Sequence, residues 1–97
     1  MDIVFNMIRF EWDDEKEKLN REKHGIGFGT AARVFFDDSR IELWDERHSG
    51  EEDRYITIGM VHDVLFVVYT ERGDALRLIS ARLANEKERR IYFGDSI

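Results

Sequence analysis

The residues best equipped for chemistry gather in the second half of this 97-residue chain. Six of the seven Lys and Arg side chains between positions 54 and 97 are arginine: Arg54, Arg72, Arg77, Arg82, Arg89 and Arg90. A guanidinium is a planar fork that grips phosphate or carboxylate at two points at once. Arg82 falls near the end of the alternating run 75–83, where simple alternation puts Leu76, Leu78, Ser80 and Arg82 on one side and Arg77, Ile79 and Ala81 on the other. A charge in that apolar row requires an acidic partner or a place at the sheet rim, so both a structural ion pair and an anion site fit it. Arg54 opens the run Arg54-Tyr55-Ile56-Thr57-Ile58-Gly59 and reads equally as a rim charge. Glu88 and Tyr92 are four apart, so on a helix a carboxylate and a phenol share one face; an ordinary contact between them fits the spacing as well.

Other chemistries find less support. His24, His48 and His62 are scattered over a helix end, a loop and a tight turn, without the spacing of a zinc site, so no metal is expected. There is no serine nucleophile elbow and no glycine-rich phosphate loop.

The elements that must hold these residues can be read from period and punctuation. Ile8-Arg9-Phe10-Glu11-Trp12 alternates like a short strand, and residues 1–6 before it read as a dispensable extension. Asp13 is a good N-cap for a helix running to about His24, and Gly25 suits the left-handed residue that ends it. That helix is mostly polar, with Leu19 as its main apolar contact and Trp12 and Ile26 helping to dock it. A second helix is expected from about Phe28 to Phe36, ended by Asp37-Asp38-Ser39. Four strands follow, at 41–44, 54–61, 64–70 and 75–83, rich in β-branched and aromatic residues. His62-Asp63 and Gly73-Asp74 are connections short enough to make the last three an antiparallel meander, and Asp45 to Asp53 is a longer charged loop. Strong helix formers from Ala84 to about Phe93 close one α+β domain spanning the whole chain.

Composition narrows the function classes. The net charge of −6 disfavours indiscriminate attachment to nucleic acid. The mean conceals a split, however: residues 1–53 carry 15 acids and 8 bases, whereas residues 54–97 carry 6 acids and 7 bases. With no cysteine the chain has neither disulfides nor thiolate metal sites, which suits a reducing compartment. No membrane span or signal-peptide pattern is visible, so a cytosolic protein is expected.

Read in order, Trp12-Asp13, Lys16, Asn20, Lys23-His24-Gly25-Ile26, Phe28, Ala32, Val34-Phe35 and Asp37 resemble the N-terminal signature of the BrnT family of bacterial type II toxins. The second half is similar too. It offers Arg54 before Ile58-Gly59, then Val67-Val68-Tyr69-Thr70-Glu71-Arg72, Arg77-Leu78-Ile79-Ser80-Ala81-Arg82, and Ala84, Glu88-Arg89 and Tyr92. The resemblance implies a RelE-like fold, with two helices leading into an antiparallel sheet. It also implies a toxin that cleaves RNA and arrests translation until a ribbon-helix-helix antitoxin, BrnA, binds it. Operator DNA would be contacted only through that complex.

Metal-free RNA cleavage needs a group to take the 2′-hydroxyl proton, cations to stabilise the phosphorane, and an acid for the departing 5′-oxygen. By resemblance and position together, charge stabilisation falls to Arg54, Arg77 and Arg82, with Arg72 a weaker candidate. Proton transfer falls to Glu88, with Tyr92 positioning or donating. The competing reading is a non-catalytic protein-binding module whose arginines are absorbed by the 21 acids. A DNA-binding regulator is disfavoured by the acidic total and the missing recognition-helix pattern.

Overall fold

Apolar side chains on both sides of a single sheet set the architecture. The computed structural model describes residues 1–47, 50 and 52–94. Its strands are β1 (Asp2–Phe5), β2 (Ile8–Glu11), β3 (Ile41–Trp44), β4 (Tyr55–Val61), β5 (Asp63–Arg72) and β6 (Ala75–Leu83). Its helices are α1 (Asp14–His24), α2 (Phe28–Ala31), which runs directly into a 3₁₀ segment at Ala32–Phe36, and α3 (Glu86–Phe93). The strand order is β1-β2-β6-β5-β4-β3. The α+β class and the β4–β5–β6 meander match the sequence reading, but the sheet is mixed. β2 runs parallel to β6 while every other neighbour is antiparallel.

The residues read as a dispensable extension form the edge strand β1. Asn6 and Met7, both at positive φ, make the two-residue turn that sets Phe5 opposite Ile8, the backbone such tight hairpins require. The Phe5 ring then lies 4.7 Å from that of Phe36, centroid to centroid.

Local signals place α1 as expected. Asp13 Oδ1 accepts the N–H groups of Glu15 and Lys16, and Gly25 ends the helix at φ 73°. Its docking differs from the expectation: Leu19 is 54% exposed, and Asn20 is the buried residue. β2 pairs with β6 only as far as Arg77. Beyond it the Asn20 side chain stands in for a strand, donating to Ala81 O (2.8 Å) and Ile26 O (2.9 Å) and accepting from Ala81 N–H (3.1 Å). Satisfied backbone groups of this kind avoid a penalty of about 1–3 kcal/mol each.

The main core lies between the sheet and the α1–α2 side, with Phe10, Phe28, Val34, Val67 and Leu78 almost fully buried. Trp12 meets Phe28 edge-on, as Phe35 meets Tyr69. The second helix tightens to 3₁₀ geometry after one turn, and there it presses on β4. A Cβ at Gly59 would stand 3.0 Å from Val34 Cβ, so this approach needs a bare backbone. On the opposite sheet face α3 contacts β4 and β5, and Ile58 and Val64 on that face are fully buried. Of the charged loop expected at 45–53, His48, Ser49 and Glu51 lie outside the described residues. Among the described residues no helix is long and apolar enough to cross a membrane.

Candidate active site

One extra residue in β6 decides which arginines share a face. The β5–β6 ladder pairs Phe66 with Arg82, Val67 with Ala81 and Val68 with Ser80, then jumps to Tyr69 with Leu78 and Thr70 with Arg77. Ile79 is thus bulged, and a bulge reverses the phase of alternation beyond it. Directly opposed residues lie on the same face. Arg77, opposite Thr70, and Arg82, opposite Phe66, therefore lie on one side, which corrects the opposite-sided reading from strict alternation. Four ladder positions still separate them, about 13 Å along the strands.

On this face, next to α3, is an open hollow of about 340 Å³ lined by Asp45, Arg54, Ile56, Phe66, Val68, Ile79, Ser80 and Arg82. The Arg82 guanidinium carbon sits 4.0 Å from the Phe66 ring centroid. Its two terminal nitrogens donate to Glu88 Oε1 at 2.7 Å and Oε2 at 2.8 Å, and one also donates to Leu83 O. Ring and carboxylate together hold the fork in one orientation. The Glu88 bonds keep Arg82 firmly protonated, outweighing the opposing effect of burial. Arg54 enters the hollow from just before β4, and its carbonyl accepts the Asp45 N–H at 2.8 Å.

Glu88 has a second duty. It completes a capping box at the start of α3, where Asn85 Oδ1 accepts the Glu88 N–H and Glu88 Oε1 accepts the Asn85 N–H. Burial alone would raise its pKa. The hydrogen bonds from Arg82 and Asn85 and the nearby Arg82 charge outweigh burial and hold it below the ordinary glutamate range. This carboxylate is ionised and fully engaged.

The remaining predicted site residues lie elsewhere. Arg77 is on the same face but outside the hollow, beside Glu11 of β2 at 3.9 Å. Arg72, near the β5–β6 turn, binds Glu52 at 3.1 Å. Tyr92 does not join Glu88: its hydroxyl donates to Asp37 Oδ2 at 2.6 Å. That oxygen also accepts the Met60 N–H. The hydrogen bond to Asp37, with some burial and the Asp37 charge, pushes the Tyr92 pKa up to about 12. Tyr92 lines a different and larger hollow, of about 520 Å³, with Phe5, Arg33, Phe36, Asp37, Met60, Val61 and His62.

The structure thus brings Arg54, Arg82 and Glu88 together and leaves Arg72, Arg77 and Tyr92 outside. Sequence reasoning missed Phe66 and Ser80. A straight ladder counted back from the Arg72–Ala75 pair sets Phe66 opposite Ala81, so only the bulge reveals its place under Arg82.

Paired cations and a carboxylate beside an open sheet face suit an enzyme or binder acting on phosphate, and comparison with known proteins gives the class. Residues 12–88 match the family model described as "Ribonuclease toxin, BrnT, of type II toxin-antitoxin system". The chain belongs to this family, whose members act on RNA and are paired with an antitoxin. It is also similar to the ribonuclease toxin BrnT of Brucella abortus, known from a 1.1 Å crystal structure. The two are 27% identical with a TM-score of 0.65, over 79% of this chain and 96% of that one. No curated protein matches the chain.

Proposed function

We propose that this chain cleaves RNA without a metal ion, at the hollow between Arg54, Arg82 and Glu88, and that a BrnA-like ribbon-helix-helix antitoxin neutralises it. The observation that carries the reading is the Arg82 guanidinium, held over Phe66 by Glu88 at the edge of an open hollow that Arg54 also lines. A fork already held in place costs little reorganisation when charge develops on a phosphorane, which is where electrostatic catalysis is strongest.

The Arg82–Glu88 pair also suggests how a proton acceptor is produced. An RNA phosphate entering the hollow competes with Glu88 for the Arg82 fork. As those bonds transfer to phosphate, Glu88 loses the Arg82 interactions that depress its pKa while its Asn85 bond and most of its burial remain. It then becomes a stronger base, able to take the 2′-hydroxyl proton as that oxygen attacks phosphorus. Arg54 and Arg82 bear the charge, and water in the open hollow can protonate the departing 5′-oxygen. Arg77, farther along the face, would hold a neighbouring phosphate. Tyr92 anchors α3 to Asp37 and stays outside the chemistry.

In this reading the scaffold is RelE-like, residues 1–97 form one folding unit, and the toxin acts in the cytoplasm with operator contacts made through the antitoxin complex. The test is incubation of the purified chain with RNA in EDTA. Fragments ending in a 2′,3′-cyclic phosphate or its opened product are expected. Intact RNA would favour the alternative of a non-catalytic binding module, a reading that the ion pairs of Arg72, Arg77 and Arg82 would fit.

A further inference from the structure

The bulge at Ile79 has two sides. Ile79 and Ser80 line the Arg54–Arg82 hollow, and the same two residues line a second hollow of about 230 Å³ with Lys16, Leu19, Asn20, Lys23 and His24 of α1. The two hollows, on opposite faces of the sheet, thus meet at the bulged residues of β6. Lys16, Leu19, Asn20 and Lys23 follow the spacing i, i+3, i+4, i+7 and occupy one stripe of the helix. Asn20 locks this stripe against β6 through both backbone groups of Ala81.

The charges on the stripe are available. Most arginines of the molecule are paired with acids, including Arg9, Arg21, Arg40, Arg89 and Arg90. Lys16 and Lys23 are exposed; among the described residues neither ammonium is within ion-pair distance of an acid, and Lys16 has the longer-range attraction of Asp13. Between them lies Leu19, 54% exposed and apolar on an otherwise polar helix. Cations flanking an apolar platform, beside the bulge that also lines the arginine hollow, can seat a single strand: phosphates on the cations, and the apolar face of a base on Leu19 and Ile79.

We infer that Lys16 and Lys23 form an extended subsite for the RNA strand, holding phosphates that flank the one at Arg82, with Leu19 and the bulged Ile79 as the surface for an intervening base. This rests on the nuclease reading and adds the path of the substrate: out of the hollow, over the bulge and along α1. It also gives the bulge a second effect, since it both sets Arg82 over Phe66 and presents Ile79 and Ser80 to α1.

The experiment measures binding of a fluorescent 2′-O-methyl RNA oligonucleotide, which lacks the attacking hydroxyl, by anisotropy across a salt series. Each phosphate contact contributes about 0.7 to the slope of log K against log salt for a single strand. The double variant Lys16→Gln/Lys23→Gln is expected to lower the slope by about 1.4 and to weaken binding. Lys18→Gln/Lys87→Gln removes the same charge from other exposed positions and is expected to leave the slope at the wild-type value. Equal slopes in all three proteins, or equal losses in both doubles, would overturn the inference. So would a loss confined to binding of poly-glutamate, which would assign the stripe to an acidic protein segment. Failure of the unaltered protein to bind or cut any RNA would instead sink the nuclease reading itself.

Discussion

Arg82 stands 4.0 Å over the ring of Phe66 because Ile79 is inserted between Leu78 and Ser80 of β6. With Ile79 paired in an unbulged ladder, the same sequence would set Arg82 opposite Leu65, on the other face. The site thus depends on a backbone irregularity as much as on its charged groups.

Replacing Phe66 by leucine keeps an apolar side chain but removes the π face beneath Arg82. Such a contact is worth about 0.5–1 kcal/mol at an exposed site, or about 2 when desolvated. RNA cleavage should fall roughly fivefold, the equivalent of about 1 kcal/mol, with a thermal midpoint close to wild type. Unchanged cleavage would show that the ring does not orient the guanidinium.

Glu88 gives a pH signature. Its folded-state pKa is lowered, so its contribution to stability is present above the ordinary glutamate pKa of about 4.3 and is lost as pH falls through the depressed folded value. Glu88→Gln should therefore be less stable than wild type at neutral pH, with the gap closing as the solution is acidified below about pH 4. Denaturant titrations at a series of pH values would read this. A gap that stayed constant with pH would mean the Arg82–Glu88 pair contributes nothing to folding.

Asn20→Ala strips partners from Ala81 N–H, Ala81 O and Ile26 O, all at a buried position. With about 1–3 kcal/mol lost per buried group left unsatisfied, a destabilisation of about 3 kcal/mol or more is expected in urea unfolding. A loss below about 1 kcal/mol would indicate that water replaces the amide and that α1 is docked by Trp12 and Ile26.

Removing residues 1–6 deletes β1, exposes the edge of β2 and takes the Phe5 ring from Phe36. A loss of about 1–2 kcal/mol would lower the thermal midpoint by about 4–8 °C per kcal/mol in a domain of this size. An unshifted midpoint would show that this segment is dispensable.

Signals local in the chain were the legible ones. Asp13 before an acidic first turn and Gly25 after a basic last turn mark both ends of α1, and the alternating run 75–83 coincides with β6. Asn85 and Glu88, three apart, also carry the pattern of a capping box, and reading it would have tied Glu88 to the helix start. What depends on tertiary register was not legible. The bulge at Ile79 exists only relative to β5, and Tyr92 finds Asp37 from 55 positions away. Asn20, polar in type, is buried because β2 is too short to cover β6. Arg54, Arg82 and Glu88 were nameable by residue type and resemblance, but their separation from Tyr92 was not.

The most direct test of the account is single-turnover cleavage of a defined RNA in EDTA by Arg82→Ala, with and without added guanidinium ion. Loss of one preorganised donor predicts a rate lower by about 10²-fold or more, partly restored when free guanidinium occupies the vacated space over Phe66. Cleavage by Arg82→Ala at the wild-type rate would contradict it.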